Sequence, residues 1–189
     1  GMALTNDGEL AARMEMFRSH GITRDATRFV QPAPGAWYYE QQVLGFNYRM
    51  TDIQAALGSS QLGRLDSYVE RRNVLAQRYA ELLSGLPLQL PTVLAGNRSS
   101  FHLYVVRVKS NAHGTRAQVF SELRQSGMGV NVHYMPVHLQ PYYQQLGFVP
   151  GDFPVAESYA SEAITLPLYP ELTEEGQNQV MSALARALT

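Results

Sequence analysis

Residues 45–62 read GFNYRMTDIQAALGSSQL, and the interpretation of the whole chain starts from this stretch. A short polar loop containing Asn47 and Arg49 leads into Thr51, and Gln54 follows three residues later. A threonine and a glutamine at this spacing form a capping box, in which each side chain bonds the other residue's backbone N–H. The pattern predicts a helix that begins after Thr51. The N-terminus of a helix favours anions, so Asn47 and Arg49 are candidate phosphate contacts.

A role without a ligand is also open for these residues. Asn47 is suited to a turn and Arg49 to a surface ion pair, because polar loop residues are usually solvated. Asp52 stands at the first helical position, where capping alone accounts for a carboxylate. The residues by themselves leave both interpretations standing.

The helical pattern continues from residue 51 to residue 84. Its apolar residues trace one broad face: Ile53, Leu57, Leu65, Val69, Ala76, Tyr79 and Leu83. Small residues interrupt the run, which predicts a break or kink near Gly63. We therefore divide the chain into residues 1–46, a long broken linker helix over 47–85, and a C-terminal α+β domain over 86–189.

The segment before the motif predicts little regular structure. Residues 2–5 suggest a short strand, and a helix capped within Thr5–Gly8 is expected to end before Gly21. Residues 22–46 then form a long loop rich in proline and aromatic residues, among them Trp37. Loops of this length are usually functional or disordered, and the aromatic side chains indicate packing against something, such as another chain.

The C-terminal part alternates between strand and helix patterns. Strands are predicted at 101–108, 129–134 and 164–166, and helices at 115–126, 141–146, 153–163 and 173–188. This order predicts an α+β fold in which helices pack on a small sheet.

A second polar cluster lies in the string VNVHYMPVHLQPYYQQLGF at 130–148. It places His133, Tyr134, His138, Tyr142 and Tyr143 close together on a segment stiffened by prolines. Such side chains suit a planar ring or sugar hydroxyls, and they equally suit a buried hydrogen-bond network. A metal site is disfavoured because no carboxylate lies near enough in sequence to complete a ligand set.

Composition excludes several classes of function. Of 189 residues, 45% are hydrophobic and 16% charged, so a globular core is expected, and a net charge of -1 does not favour nucleic acid or an anionic membrane as partner. The absence of cysteine excludes disulfides and thiol chemistry. No apolar run reaches a membrane span and no signal pattern is present, so a cytoplasmic protein is expected. The dipole of the first helix accounts for a histidine at its end, His20. His102 lies within a predicted strand and is expected in the core.

Five strings carry a family resemblance: RSHG at 18–21, the motif at 45–62, FHLYVV at 101–106, HYMPVHLQPYY at 133–143 and LPLYPELTEE at 166–175. In order and spacing they resemble the C-terminal half of the DegT/DnrJ/EryC1/StrS sugar aminotransferases, which use pyridoxal 5'-phosphate (PLP). Within the family, residues 129–148 most resemble the transaminase that makes UDP-4-amino-4,6-dideoxy-N-acetyl-β-L-altrosamine, on the route to pseudaminic acid.

The resemblance implies the C-terminal small domain of a fold-type I PLP transferase, plus a remnant of the large domain. In the family, the Schiff-base lysine precedes the region that this chain matches. The sequence has one lysine, Lys109, which is expected to be exposed and unable to replace it. PLP is therefore not expected to bind to this chain alone, no catalytic residue is assigned, and the polypeptide is expected to be inactive by itself.

The resemblance also implies roles for particular residues. Asn47 is expected to reach the phosphate of the partner subunit's PLP in a homodimer, with Arg49 beside it. Substrate contact is implied for His133, Tyr134 and His138. Tyr142, in the same loop, is the remaining candidate for the substrate. The implied reaction moves an amino group from glutamate to a UDP-4-keto-6-deoxy sugar. Alternatives are a non-catalytic module that binds nucleotide-sugar or dimerises, and one half of a split enzyme whose lysine is carried separately.

Overall fold

The computed structural model describes residues 3–109 and 114–188. The chain forms two compact units, Gly1–Gly63 and Arg64–Thr189, and each is considered by itself. No helix among the described residues is long and apolar enough to cross a membrane.

The first unit contains two helices and a two-stranded ribbon. Its elements are α1 (Gly8–Arg18), β1 (Ile22–Thr23), β2 (Glu40–Gln41) and α2 (Asp52–Leu62). The two strands are antiparallel, with Thr23 opposite Glu40.

Local capping chemistry fixes where both helices of this unit begin. The Asp7 carboxylate accepts from the N–H groups of Glu9 and Leu10 at the start of α1. The capping box predicted for α2 is present: the Thr51 hydroxyl accepts from the Gln54 N–H at 3.3 Å, and the Gln54 side chain accepts from the Thr51 N–H at 2.9 Å. α2 ends at Leu62.

The second unit is an antiparallel sheet with helices packed on it. Its elements are α3 (Leu65–Leu83), β3 (Leu88–Gln89), β4 (Tyr104–Val108), α4 (Arg116–Gln125), α5 (Pro141–Gln144), α6 (Pro154–Glu162), β5 (Ala163–Leu166) and α7 (Glu174–Leu188). The strand order is β3-β4-β5, and Val106 of β4 lies opposite Ile164 of β5. The predicted α+β fold is confirmed.

One hydrophobic core holds this unit together. Alternate residues of β4 point into it, so Tyr104 and Val106 are buried while Val105 is half-buried. α3, α4 and α7 supply the opposing side chains, including Leu83, Leu123 and Leu184. Burying a side chain of this size contributes roughly 1.5–3 kcal/mol, so the sheet and these helices stabilise one another.

Three consecutive residues of α3 bind loop carbonyls elsewhere in the second unit. Arg71 donates to the carbonyls of Pro170 and Leu172, and Arg72 donates to those of Phe101 and His102. The Asn73 amide donates to the carbonyl of Ser99. α3 therefore fastens the loop that precedes β4 and the loop that follows β5, in addition to contributing side chains to the core.

Some predictions of local structure are wrong. Residues 3–5 form no strand, and Met2 lies outside the described residues. Over 129–134 only Asn131 pairs with the sheet, opposite Thr165, because the chain leaves the edge of β5 after that bridge. β4 begins at Tyr104 rather than 101, since Phe101 adopts a positive φ of 43°. His102, expected in the core, is exposed.

Candidate functional site

The loop that carries Asn47 lies against the C-terminal end of α1. The Phe46 N–H donates to the Phe17 carbonyl at 2.7 Å, and the Tyr48 N–H donates to the Arg18 carbonyl at 3.0 Å. Asn47 sits between these two bonds, in an antiparallel bridge with Ser19. Its backbone is therefore fixed by main-chain pairing on both sides.

Two glycines make this close approach possible. A Cβ on Gly45 would lie 2.2 Å from the backbone nitrogen of Gly21. A Cβ on Gly21, which has a φ of +71°, would lie 1.8 Å from the Val43 carbonyl oxygen. Side chains at either position would push the two segments apart and displace Asn47.

Asn47 and Arg49 present exposed side chains just ahead of α2. An amide and a guanidinium beside a helix N-terminus can together donate to an oxyanion. Asp52 in the first turn already supplies negative charge to that dipole, so it would oppose a second anion. The geometry allows a phosphate contact, and that contact stays a prediction.

One carboxylate organises the aromatic loop of the first unit. Glu40 accepts from the N–H groups of Val30 and Gln31 at 2.7 Å each and from the Tyr38 hydroxyl at 3.1 Å. The Val30 hydrogen bond is the main reason that the pKa of Glu40 lies below its ordinary value. Sequence reasoning missed Glu40, because its partners lie up to ten residues away.

In the second unit, His133 is held by the sheet. Its Nδ1 lies 2.7 Å from the Thr165 hydroxyl on β5, and its ring meets the Tyr134 ring edge-on at 4.6 Å. His133 is half-buried, whereas Tyr134 is 71% exposed. The two residues are therefore brought together, with one anchored and one open to solvent.

His138 occupies a different environment. It is buried, and its Nε2 lies 2.8 Å from Oε1 of Glu157 on α6. The same oxygen accepts from the Gly151 N–H at 2.8 Å. His138 thus ties its 3-10 turn to α6, and its predicted contact with substrate stays a prediction. No sequence pattern points to Glu157, because it follows His138 by nineteen residues.

An apolar groove of about 740 Å³ adjoins these residues. Tyr134, Met135, Val137, Phe153, Val155 and Tyr159 line it. Tyr142 lies outside the groove, exposed, with its ring 5.4 Å from that of Tyr143. The groove can bury a flat or apolar ligand surface beside the hydroxyl of Tyr134.

The residues of this chain do not fit a covalently held PLP. Lys109, the one lysine of the sequence, is exposed just after β4, and its backbone N–H bonds the Pro87 carbonyl. An amine that forms a Schiff base is activated by desolvation or by a nearby cation, and an exposed lysine is not desolvated. Of the possible contacts with PLP, the one compatible with the geometry is the predicted contact of Asn47 and Arg49 with the cofactor phosphate. The described residues also contain no group of three metal-ligating side chains.

The Glu157 contacts predict an acid-sensitive loop. The His138 hydrogen bond and then the Gly151 N–H lower the pKa of Glu157, so ionised Glu157 stabilises the folded state. That contribution is complete above the unfolded glutamate pKa of about 4.3 and is lost as pH falls through the lower folded value. The protection factor of the Gly151 amide, which is its intrinsic exchange rate divided by the rate observed by NMR, should therefore fall below about pH 4.

A matched pair of variants isolates this effect. Glu157→Gln removes the titrating group and should flatten the pH dependence, whereas Glu171→Gln changes an exposed glutamate and should leave it unchanged. Equal pH profiles for Glu157→Gln and the unaltered chain would contradict the assignment.

Comparison with known proteins agrees with the family motifs. The model of the DegT/DnrJ/EryC1/StrS aminotransferase family matches residues 1–185. The spore coat polysaccharide biosynthesis protein SpsC of Bacillus subtilis is 38% identical over 188 residues, covering 97% of this chain and 48% of SpsC.

Solved structures agree in three dimensions. The putative sugar aminotransferase Spr1654 of Streptococcus pneumoniae in its PMP form superposes with a TM-score of 0.86 at 30% identity, covering 99% of this chain and 47% of that one. Helicobacter pylori PseC, an aminotransferase involved in the biosynthesis of pseudoaminic acid, gives 0.84 at 27% identity, covering 97% and 47%.

The predicted fold class is thereby confirmed as that of fold-type I PLP aminotransferases. The chain spans about half the length of the curated relatives it matches. With the motifs, the fold and a family match over 1–185 in agreement, this chain belongs to the DegT/DnrJ/EryC1/StrS aminotransferase family.

Proposed function

We propose that this chain is the portion of a PLP-dependent nucleotide-sugar aminotransferase that supplies substrate contacts and one cofactor-phosphate contact. The complete enzyme moves an amino group from glutamate to a UDP-4-keto-6-deoxy sugar, as in the route to pseudaminic acid. The observation that carries the proposal is the family match over residues 1–185, joined to the anchored His133 and open Tyr134 beside an apolar groove.

Each residue has a stated part in this proposal. Asn47 and Arg49 donate to the phosphate of PLP bound by the partner subunit, since both are exposed on a fixed loop. His133 and Tyr134 donate to oxygens of the nucleotide-sugar. Tyr142, which lies outside the groove, is a further proposed contact with the same ligand. His138 positions the loop rather than the ligand, because its Nε2 already bonds the Glu157 carboxylate. No covalent step is assigned to this chain.

Binding of a nucleotide-sugar tests the proposal directly. UDP-N-acetylglucosamine is titrated calorimetrically into the chain and into His133→Gln. Loss of one hydrogen bond is worth about 1 kcal/mol, so the variant should bind roughly fivefold more weakly. His102→Gln alters an exposed histidine away from the proposed contact and should bind as the unaltered chain does. No heat with any of the three proteins at millimolar ligand would contradict the proposed substrate contact.

The exposed position of Lys109 predicts that the pure chain has no transaminase turnover. With PLP, glutamate and a UDP-4-keto-6-deoxy sugar, product formation should equal that of buffer, and Lys109→Ala should change nothing. Turnover that disappears in Lys109→Ala would show that this lysine does form the Schiff base. Turnover gained only on adding a separately encoded lysine-bearing chain would favour the split enzyme.

A second function, self-association, is favoured by the surface of the first unit. Every residue of α2 is exposed, with Ile53 at 83% and Leu57 at 61%. Trp37 and Phe46 add exposed rings. Apolar surface on this scale usually marks an interface, and we propose that it pairs two copies of the chain.

Light scattering tests this pairing. The unaltered chain should be a dimer or larger at high concentration, and Leu57→Glu should shift it towards monomer because a buried carboxylate is costly at an apolar interface. Leu94→Glu places the same charge on an exposed leucine of the second unit and should not change the mass. A monomeric unaltered chain would refute the pairing.

A further inference from the structure

The contact between Thr165 and His133 determines more than the position of a ring. Thr165 is 7% exposed, and its hydroxyl lies 2.7 Å from His133 Nδ1. Among the hydrogen bonds of the described residues, this is the hydroxyl's one partner. A buried hydroxyl carries one proton, and a proton left without an acceptor would cost the desolvation of that group.

The direction of this hydrogen bond follows. If Nδ1 carried the ring proton, Thr165 would have to accept it, and the hydroxyl proton would be left without a described acceptor. If Nδ1 is unprotonated, it accepts from Thr165 and both groups are satisfied. Neutral imidazole has one N–H, so the proton then resides on Nε2 of His133.

The second ring nitrogen, Nε2, points away from the Thr165 hydroxyl. In an imidazole ring Nε2 lies on the far side from the Nδ1 contact, and Nε2 makes no hydrogen bond to any described residue. The Tyr134 ring stands edge-on to the imidazole ring and is 71% exposed. A ligand oxygen within reach of Nε2 would therefore meet an N–H donor.

We propose that Thr165 is a positioning residue that holds His133 as the Nε2–H tautomer, so that His133 donates a hydrogen bond to a ligand oxygen. The tautomer stands on the contact geometry of this chain. The ligand, an oxygen-rich sugar or phosphate group, rests on the proposed function.

The tautomer is measured without any ligand. Long-range ¹H–¹⁵N spectra of the full chain at pH 8 distinguish a protonated ring nitrogen from an unprotonated one, with assignment by single His→Gln variants. His133 should show an unprotonated Nδ1 and a protonated Nε2. A protonated Nδ1 would overturn the proposal.

Variants separate positioning from packing. Thr165→Val keeps the branched shape on a buried strand but removes the hydroxyl, so the separation of the two ¹⁵N shifts of His133 should narrow towards that of an unconstrained peptide histidine. Thr165→Ser restores a hydroxyl and should restore the shifts. The ring of His138, held by Glu157 instead, should be unchanged in both variants. Identical His133 shifts in Thr165→Val and the unaltered chain would remove Thr165 from this role.

A titration with UDP-N-acetylglucosamine links the tautomer to binding. Thr165→Val should bind roughly two- to fivefold more weakly, since the imidazole ring loses the hydrogen bond that orients it, worth about 1 kcal/mol, and Thr165→Ser should bind normally. Equal affinity in Thr165→Val would refute a role for Thr165 in binding. If the unaltered chain shows the expected tautomer but binds no UDP-N-acetylglucosamine, the proposed function fails while the Thr165–His133 assignment stands.

Discussion

The second unit depends on the burial of β5. All four residues of this strand, Ala163–Leu166, are buried. One edge pairs with β4, and the other accepts the bridge from Asn131. Because β5 directly follows α6, it also fixes the helix that carries Glu157. Burial of β5 in the apolar core thus positions the Thr165 hydroxyl, which holds His133, and the Glu157 carboxylate, which holds His138.

Both units fix a loop in the same physical way. In the first, the Glu40 carboxylate gathers two backbone N–H groups and a phenol, and in the second, Glu157 gathers an imidazole and a backbone N–H. Charge-assisted hydrogen bonds of this kind are stronger than neutral ones. A single anion per loop therefore orders segments that have little regular secondary structure.

Sequence predicts those features that are encoded locally. The capping box predicted at Thr51 depends on two residues three positions apart, and it is present. The strand predicted over 129–134 had suitable residue types, but strand formation requires a neighbour, and only Asn131 finds one. The strand predicted from residue 101 was wrong at its start for a similar reason. The backbone turns at Phe101, and strand pairing begins only at Tyr104.

The candidate site divides along the same line. The motif placed Asn47 and Arg49 ahead of a helix, and the string at 130–148 placed His133 beside Tyr134, since these are neighbours in sequence. The contacts of Thr165 and Glu157 with the two histidines were not predicted, because these residues approach the histidines only after folding. The separations are 32 residues for Thr165 and 19 for Glu157, and no periodicity connects them.

The carbonyls bound by Arg71, Arg72 and Asn73 have a practical consequence for anyone dissecting this protein. A piece starting near residue 86 would keep the whole sheet and yet lose the donors that fasten the loops at 99–102 and 170–172. It would also remove the α3 members of the hydrophobic cluster, among them Leu75 and Leu83. The smallest self-sufficient piece therefore starts no later than Leu65, where α3 begins.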